Sequence, residues 1–295
     1  MDIRIALPEG IGITSRMRGY SRFVELLVAA LLAVSAAPIG TASTGTKIEF
    51  SSLDGHHPRK LSGTLYMPEG RASPCPAVVV VHGTTGIDSR QAFYRDPILK
   101  AGIAILEVDF KTGIYTGPFN RPSPDAFLPM GFAALKELRK WPAIDPGRIG
   151  IMGFSLGGHL TVTTAFEANR KTWMNDEKGF AAHAALYPVC KPFLKQDNWK
   201  MTGAPMIIFY GTEDAYGEGK NVPEFKRLLL QKSNFEVTTV EYAGAHHGFD
   251  RNEPAMSYRD PAAIGWKGYV AWDGYAAKDA QARVVDFLQK TLATK

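Results

Sequence analysis

The stretch that most restricts the fold is residues 148–158, Arg-Ile-Gly-Ile-Met-Gly-Phe-Ser-Leu-Gly-Gly. Its first half is an apolar run that reads as a strand buried in a sheet, and the residues after Ser155 read as the start of a helix. Between the two the chain must turn within a residue or so, with Ser155 at the tip. Gly153 and Gly157 suit that turn, because side chains there would collide with the neighbouring strand and helix. A strand that breaks sharply into a helix holds the Ser155 hydroxyl clear of the backbone. The helix then aims its N-terminal N–H groups at the same point, where negative charge is favoured. A G-x-S-x-G pattern in this strand–turn–helix context makes Ser155 a candidate nucleophile.

The rest of the chain alternates in a way that fits. Residues 47–52 and 60–66 read as strands joined by a polar turn at Asp54-Gly55, an antiparallel hairpin at a sheet edge. The continuous run 77–82 (AVVVVH) is what a strand buried on both faces looks like. A helix over 91–101, ended by Gly102, leads to a second buried strand at 103–108. Residues 109–124 are rich in Gly, Pro and aromatics and read as a loop that could cover a site. The spacing of Phe127, Met130, Ala134, Leu135 and Leu138 predicts a helix over 125–141, closed by Pro142. Strands at 148–154, 181–187, 206–210 and 236–242 then alternate with helices at 156–169, 223–232 and 276–292. The fold class this implies is α/β. Its sheet is mostly parallel and doubly wound, with helices on both faces, an antiparallel N-terminal hairpin and no large cap domain.

Arg16, Arg18 and Arg22 precede the apolar run 26–37 (LLVAALLAVSAA), which has the length of a signal-peptide core and is short for a membrane span. Residues 1–42 are therefore expected to be a signal peptide or N-terminal anchor, with Met17 as a candidate true start, and 43–295 the catalytic domain. The expected location is secreted or periplasmic, or membrane-anchored if the leader stays on. The mature domain itself needs no membrane. The 295 residues are 45% hydrophobic and 21% charged, and the net charge of +5 is spread without a Lys/Arg block, so a nucleic-acid partner is not expected. The two cysteines, Cys75 and Cys190, make no zinc-like spacing. Export would place them in an oxidising compartment, where they are free to pair.

A serine needs a base to take its proton and a third group to orient that base. Strand 206–210 runs into Gly-Thr-Glu-Asp, and strand 236–242 into Ala-Gly-Ala-His-His-Gly-Phe. These loops offer Asp214, with Glu213 as the alternative acid, and His247, with His246 as the alternative base. His159, His183, His56 and His57 read as structural or solvated. After strand 77–82, His82-Gly83-Thr84-Thr85-Gly86 supplies a loop whose N–H groups can join that of Leu156 in stabilising an oxyanion. Thr84 is the expected second donor and Thr85 its alternative. Phe110, Tyr115, Phe119 and Phe127 on one side, and Tyr258, Trp266, Tyr269 and Trp272 on the other, are candidate pocket residues.

Taken together, VVVVHGTTG, IDPGRIGIMGFSLGG, YGTED and AHHGF resemble the dienelactone hydrolase family of α/β-hydrolases, from about residue 76 to 292. The resemblance implies a histidine just before Gly-Phe, which is His247, and an acid where Asp214 stands. The family's founding members carry cysteine at the nucleophile position, whereas this chain has Ser155. The implied activity is hydrolysis of carboxylic esters through Ser155, His247 and Asp214, without metal or organic cofactor. A small ester or lactone is the expected substrate; the alternatives are a peptidase or amidase with the same triad and, behind it, a hydrolase fold kept as a non-catalytic binding protein.

Overall fold

The unbroken β-branched run lies where its pattern requires, at the centre of a sheet covered on both sides. A computed structural model describes residues 44–55, 58–70, 73–110 and 124–293. In it β3 (Cys75–Val81) pairs in parallel with β4 (Ala104–Asp109) on one side and β5 (Ile144–Phe154) on the other. From β5 the sheet continues in parallel through β6 (His183–Leu186), β7 (Met206–Gly211) and β8 (Thr238–Tyr242). On the far side β2 (Lys60–Tyr66) runs antiparallel to β4, and β1 (Thr46–Ser51) antiparallel to β2. The strand order is β1-β2-β4-β3-β5-β6-β7-β8. This is the mostly parallel α/β sheet with an N-terminal hairpin that the sequence implied.

Successive side chains of a strand point to opposite faces, so a strand buried twice needs apolar residues at every position. Val79 and Val81 pack with Phe132, Leu135 and Leu138 of α2 (Leu128–Arg139), which follows a 3-10 turn at Pro124–Phe127. Val78 and Val80 pack on the other face with Tyr94 and Ile98 of α1 (Ser89–Lys100) and with Val284 and Leu288 of α6 (Gly274–Thr291). A third cluster joins Ile208 and Tyr210 to Val222, Phe225 and Leu229 of α5 (Glu218–Ser233). Asp88 caps α1 in a reciprocal arrangement with Gln91, and Asp273 caps α6 through the N–H groups of Tyr275 and Ala276.

Several expectations are corrected. The helix foreseen over 156–169 is two helices, α3 (Leu156–Thr164) and α4 (Glu167–Met174), separated by an extended Phe166. Thr161, Thr163 and Thr164 bend their hydroxyls back to carbonyls of the preceding turn, which weakens the end of α3. Phe166 turns out of the helix to pack against Phe193. Helix α5 starts at Glu218, ahead of the expected 223. A two-stranded ribbon, β9 (Met256–Arg259) and β10 (Lys267–Val270), stands outside the main sheet and has no counterpart in the sequence reading. Cys75 and Cys190 are both free and buried, in separate core clusters, so they do not pair.

The leader, His56, His57, Tyr115, Phe119 and most of the 109–124 loop lie outside the described residues. Ser43–Lys295 forms one compact unit. Among the described residues no helix is long and apolar enough to cross a membrane.

Candidate active site

The strand order reverses direction at β3: β4 lies on one side of it and β5 on the other. At such a point the loops leaving the carboxyl ends of adjacent strands diverge, and a crevice opens between them. The loop after β3 (82–86) and the turn after β5 (Ser155) flank that crevice.

Ser155 sits at φ 54° and ψ −110°, in the positive-φ region that side chains avoid. Backbone bonds hold it there. Its N–H donates to the Leu186 carbonyl (3.0 Å), and its carbonyl accepts from the His159 N–H (2.8 Å). The turn closes only because of two glycines. A Cβ on Gly153 would strike the Gly157 carbonyl, and one on Gly157 would strike the carbonyls of Val81 and His82. Leu156 is the first residue of α3, so its N–H is one of the donors a helix start leaves without an internal partner.

The structure brings Ser155, His247 and Asp214 together. His247 Nε2 lies 2.8 Å from Ser155 Oγ, and His247 Nδ1 lies 2.8 Å from Asp214 Oδ2. The carboxylate can only accept, so Nδ1 carries the proton and Nε2 is left to accept from the serine hydroxyl. Asp214 Oδ1 accepts the Tyr216 N–H (2.8 Å), which fixes which oxygen faces the imidazole. His247 is held between two tyrosines: the Tyr187 ring at 4.8 Å in edge contact and the Tyr216 ring at 4.4 Å. It also makes an isolated parallel bridge with Val270 of β10, which ties the ribbon to the histidine loop. Asp214 and His247 are buried, while Ser155 is partly open.

The alternatives stand apart. His246 Nδ1 contacts the Glu213 carbonyl at 3.0 Å, and its ring meets the edge of Tyr269. His159 stacks on Phe193, and His183 is buried in β6, where burial pushes it down to about 4.

The loop after β3 is pinned at its base. The Phe110 N–H donates to His82 Nε2 (3.0 Å), so Nδ1 is the protonated nitrogen and donates to the Gly83 carbonyl (2.6 Å). Thr84 and Thr85 both line a cavity of ≈ 30 Å³ beside Ser155, together with Arg90, Arg251, Met256 and Tyr258. Of the aromatic candidates, Tyr258 reaches this wall. Phe110 and Phe127 are instead core residues packed beneath α2. Trp266 is half exposed under Arg259, and Trp272 packs on Phe93.

The sequence reading missed a buried layer of ionisable groups around the site. Arg90 is buried, as are Asp250 and Glu218. Burial, reinforced by the nearby Asp214 charge, pushes Glu218 up to about 8; it accepts the Cys190 N–H (3.0 Å) and an Asn221 amide N–H (3.2 Å). Burial likewise raises Asp250, against the pull of Arg90. Arg251 pairs with Glu253 and lies 3.8 Å from Asp88. Nothing in the local pattern marks these positions as buried. The one available signal is an aspartate immediately after Gly-Phe in the histidine loop.

A family model described as the dienelactone hydrolase family matches residues 61–292. Esterase FrsA of Vibrio vulnificus is 32% identical over 102 residues, 33% of this chain and 23% of that protein. A thiohydrolase of Aspergillus aculeatus is 31% identical over 125 residues, 41% of this chain and 37% of its own. The matched region thus spans less than two fifths of the length of either of these curated relatives. Among solved structures, a dienelactone hydrolase-like promiscuous phosphotriesterase from metagenomic libraries superposes with a TM-score of 0.63 at 16% identity, covering 85% of this chain and 99% of that one. An esterase of Thermogutta terrifontis with propionate bound gives 0.58 at 19% identity, covering 89% and 100%. At these identities the likeness is one of fold.

Proposed function

The chain belongs to the dienelactone hydrolase family, and from that membership we propose that it is a serine hydrolase that cleaves small carboxylic esters. The observation that carries the reading is the hydrogen-bonded chain Asp214–His247–Ser155, at the ends of three strands and beside a cavity. His247 Nε2 takes the hydroxyl proton as Ser155 Oγ attacks the acyl carbonyl. The negative charge that forms on the carbonyl oxygen is met by the N–H of Leu156 and that of Thr84. His247 returns the proton to the departing alcohol, then activates a water that releases the acyl group from Ser155. Asp214 holds the imidazole in the required tautomer and stabilises its charged form. An apolar wall of Met256, Tyr258 and Val270 suits a short acyl group. The leader-like segment 1–42 supports an exported protein, which N-terminal sequencing of the protein recovered from cell fractions tests.

The test of the activity is initial rate on p-nitrophenyl esters of increasing acyl length, for the protein and its Ser155→Ala variant. A fluorophosphonate label, located by intact and peptide mass, accompanies it. Turnover that disappears in the variant, with one adduct on Ser155, supports the ester reading. Labelling without ester turnover moves the substrate to amides or lactones. Neither turnover nor labelling in folded protein overturns the hydrolase reading.

A further inference from the structure

One buried cation touches the site without taking part in the proton chain. Arg90, in the first turn of α1, is 4% exposed. Its Nε and Nη2 donate to Asp88 Oδ1 (2.8 Å) and Oδ2 (2.5 Å). Nη1 donates to the Tyr187 hydroxyl (3.0 Å), and Nη2 reaches Thr85 Oγ1 (3.4 Å). The Tyr187 hydroxyl donates onward to Asp250 Oδ1 (2.5 Å), whose Oδ2 accepts the Tyr94 hydroxyl (2.8 Å). The guanidinium lies 5.1 Å from the Phe154 ring centroid and directly against Gly83, where a Cβ would come within 3.3 Å of Nη2.

Apart from Asp88 and Tyr94, which belong to α1 and its cap, the hydrogen-bonded partners come from three separate loops. Thr85 belongs to the loop after β3, next to Thr84. Tyr187 follows β6, holds a positive φ of 37° and meets the edge of His247. Asp250 lies three residues beyond His247. Burying a guanidinium is unfavourable, and an apolar residue would fill the same volume more easily. What arginine supplies instead is a planar fork of fixed donors that engages several acceptors at once in one geometry.

We propose that Arg90 is the positioning residue of this site. It locks the loop that presents the Thr84 N–H to the loop that carries His247, so that oxyanion donor and base stay in register around Ser155. The proposal rests on the reading of Ser155 as an ester-cleaving nucleophile. Its chemical content is narrow. Arg90 acts through Thr85, Tyr187 and Asp250, and its effect falls on the tetrahedral state more than on bound substrate.

The experiment uses the full chain and three variants: Arg90→Lys, Tyr187→Phe and Thr85→Val. The last two are near-isosteric and decide the matter if the first fails to accumulate. Competent sites are counted by fluorophosphonate titration, and kcat and KM are measured per titrated site on the best short-chain ester. A trifluoromethyl ketone, which Ser155 captures as a tetrahedral adduct, reports affinity for the charged intermediate. The expected result is a fall in kcat of about 10- to 100-fold per site, the scale of a displaced reacting group. KM should stay within about threefold, and the ketone should weaken by the same factor as kcat/KM. Where the parent labels without turning over ester, the second-order labelling rate is compared in the same way. Values of kcat per site within about threefold of the parent in all three variants, with only the melting temperature lowered, would make Arg90 a structural ion pair and overturn the proposal. A parent with neither turnover nor labelling overturns the ester reading, and the proposal with it.

Discussion

Asp214 is pinned on both oxygens, and that decides what an amide would do in its place. Oδ1 sits on the Tyr216 N–H and Oδ2 on His247 Nδ1. In Asp214→Asn the amide oxygen must stay on the Tyr216 N–H, so the NH2 group faces the imidazole. Nδ1 then has to accept, Nε2 carries the proton, and Ser155 has no base. We expect kcat to fall by on the order of 10⁴ with KM little changed, as pre-steady-state and steady-state ester kinetics can measure. Ser155, His247 and Asp214 were legible in the chain because each stands just past an apolar strand, in a short motif whose geometry is local. Arg90, Tyr187 and Asp250 were not, because their meaning is wholly relational. They are separated by 97 and 63 positions in sequence, and only folding makes neighbours of them.

The elements divide in the same way. Strands buried on both faces announce themselves by composition, and every strand of the main sheet was found near its place. Elements set by tertiary packing were not. The α3–α4 break depends on Phe166 finding Phe193. The β9–β10 ribbon consists of four-residue strands whose pairing is stabilised by contact with the His247 loop. Two substitutions separate the kinds of constraint. Gly157→Ala forces a methyl into the carbonyls of Val81 and His82, and it should destabilise by about 3 kcal/mol or prevent soluble expression. Asp273→Ala removes only the cap of α6. It should cost about 1 kcal/mol in urea unfolding and leave kcat untouched.

At the scale of the whole molecule, two buried groups set opposite pH dependences of stability. Burial and the Asp214 charge raise Glu218 from 4.5 to about 8, so the native state keeps a proton that the unfolded chain releases. Its contribution is complete below pH 4.5 and is lost as pH rises toward 8. Burial lowers His183 from 6.5 to about 4, so the unfolded chain takes up a proton that the native state refuses. That contribution is complete above pH 6.5 and is lost as pH falls toward 4. Between 4.5 and 6.5 the two slopes oppose each other, and above 6.5 the Glu218 loss is unopposed by His183. The shift of Asp250, raised by burial, has the same sign as that of Glu218. Glu218→Gln should therefore flatten the decline in urea midpoint between pH 6.5 and 8, and His183→Leu should flatten the decline from 6.5 down to 4. Parallel curves for parent and variant would show that the buried group does not titrate in that window.

The conformation of Ser155 has a further implication. A non-glycine residue at φ 54° and ψ −110° is held there by its surroundings against its own preference, at about 1–3 kcal/mol. Replacing it with alanine removes the hydroxyl and keeps the strain, whereas glycine removes both. The glycine variant should thus be inert yet melt higher than either the parent or the alanine variant. The turn thus stores its strain at the one residue whose hydroxyl faces His247, and a more stable turn is a turn without that hydroxyl.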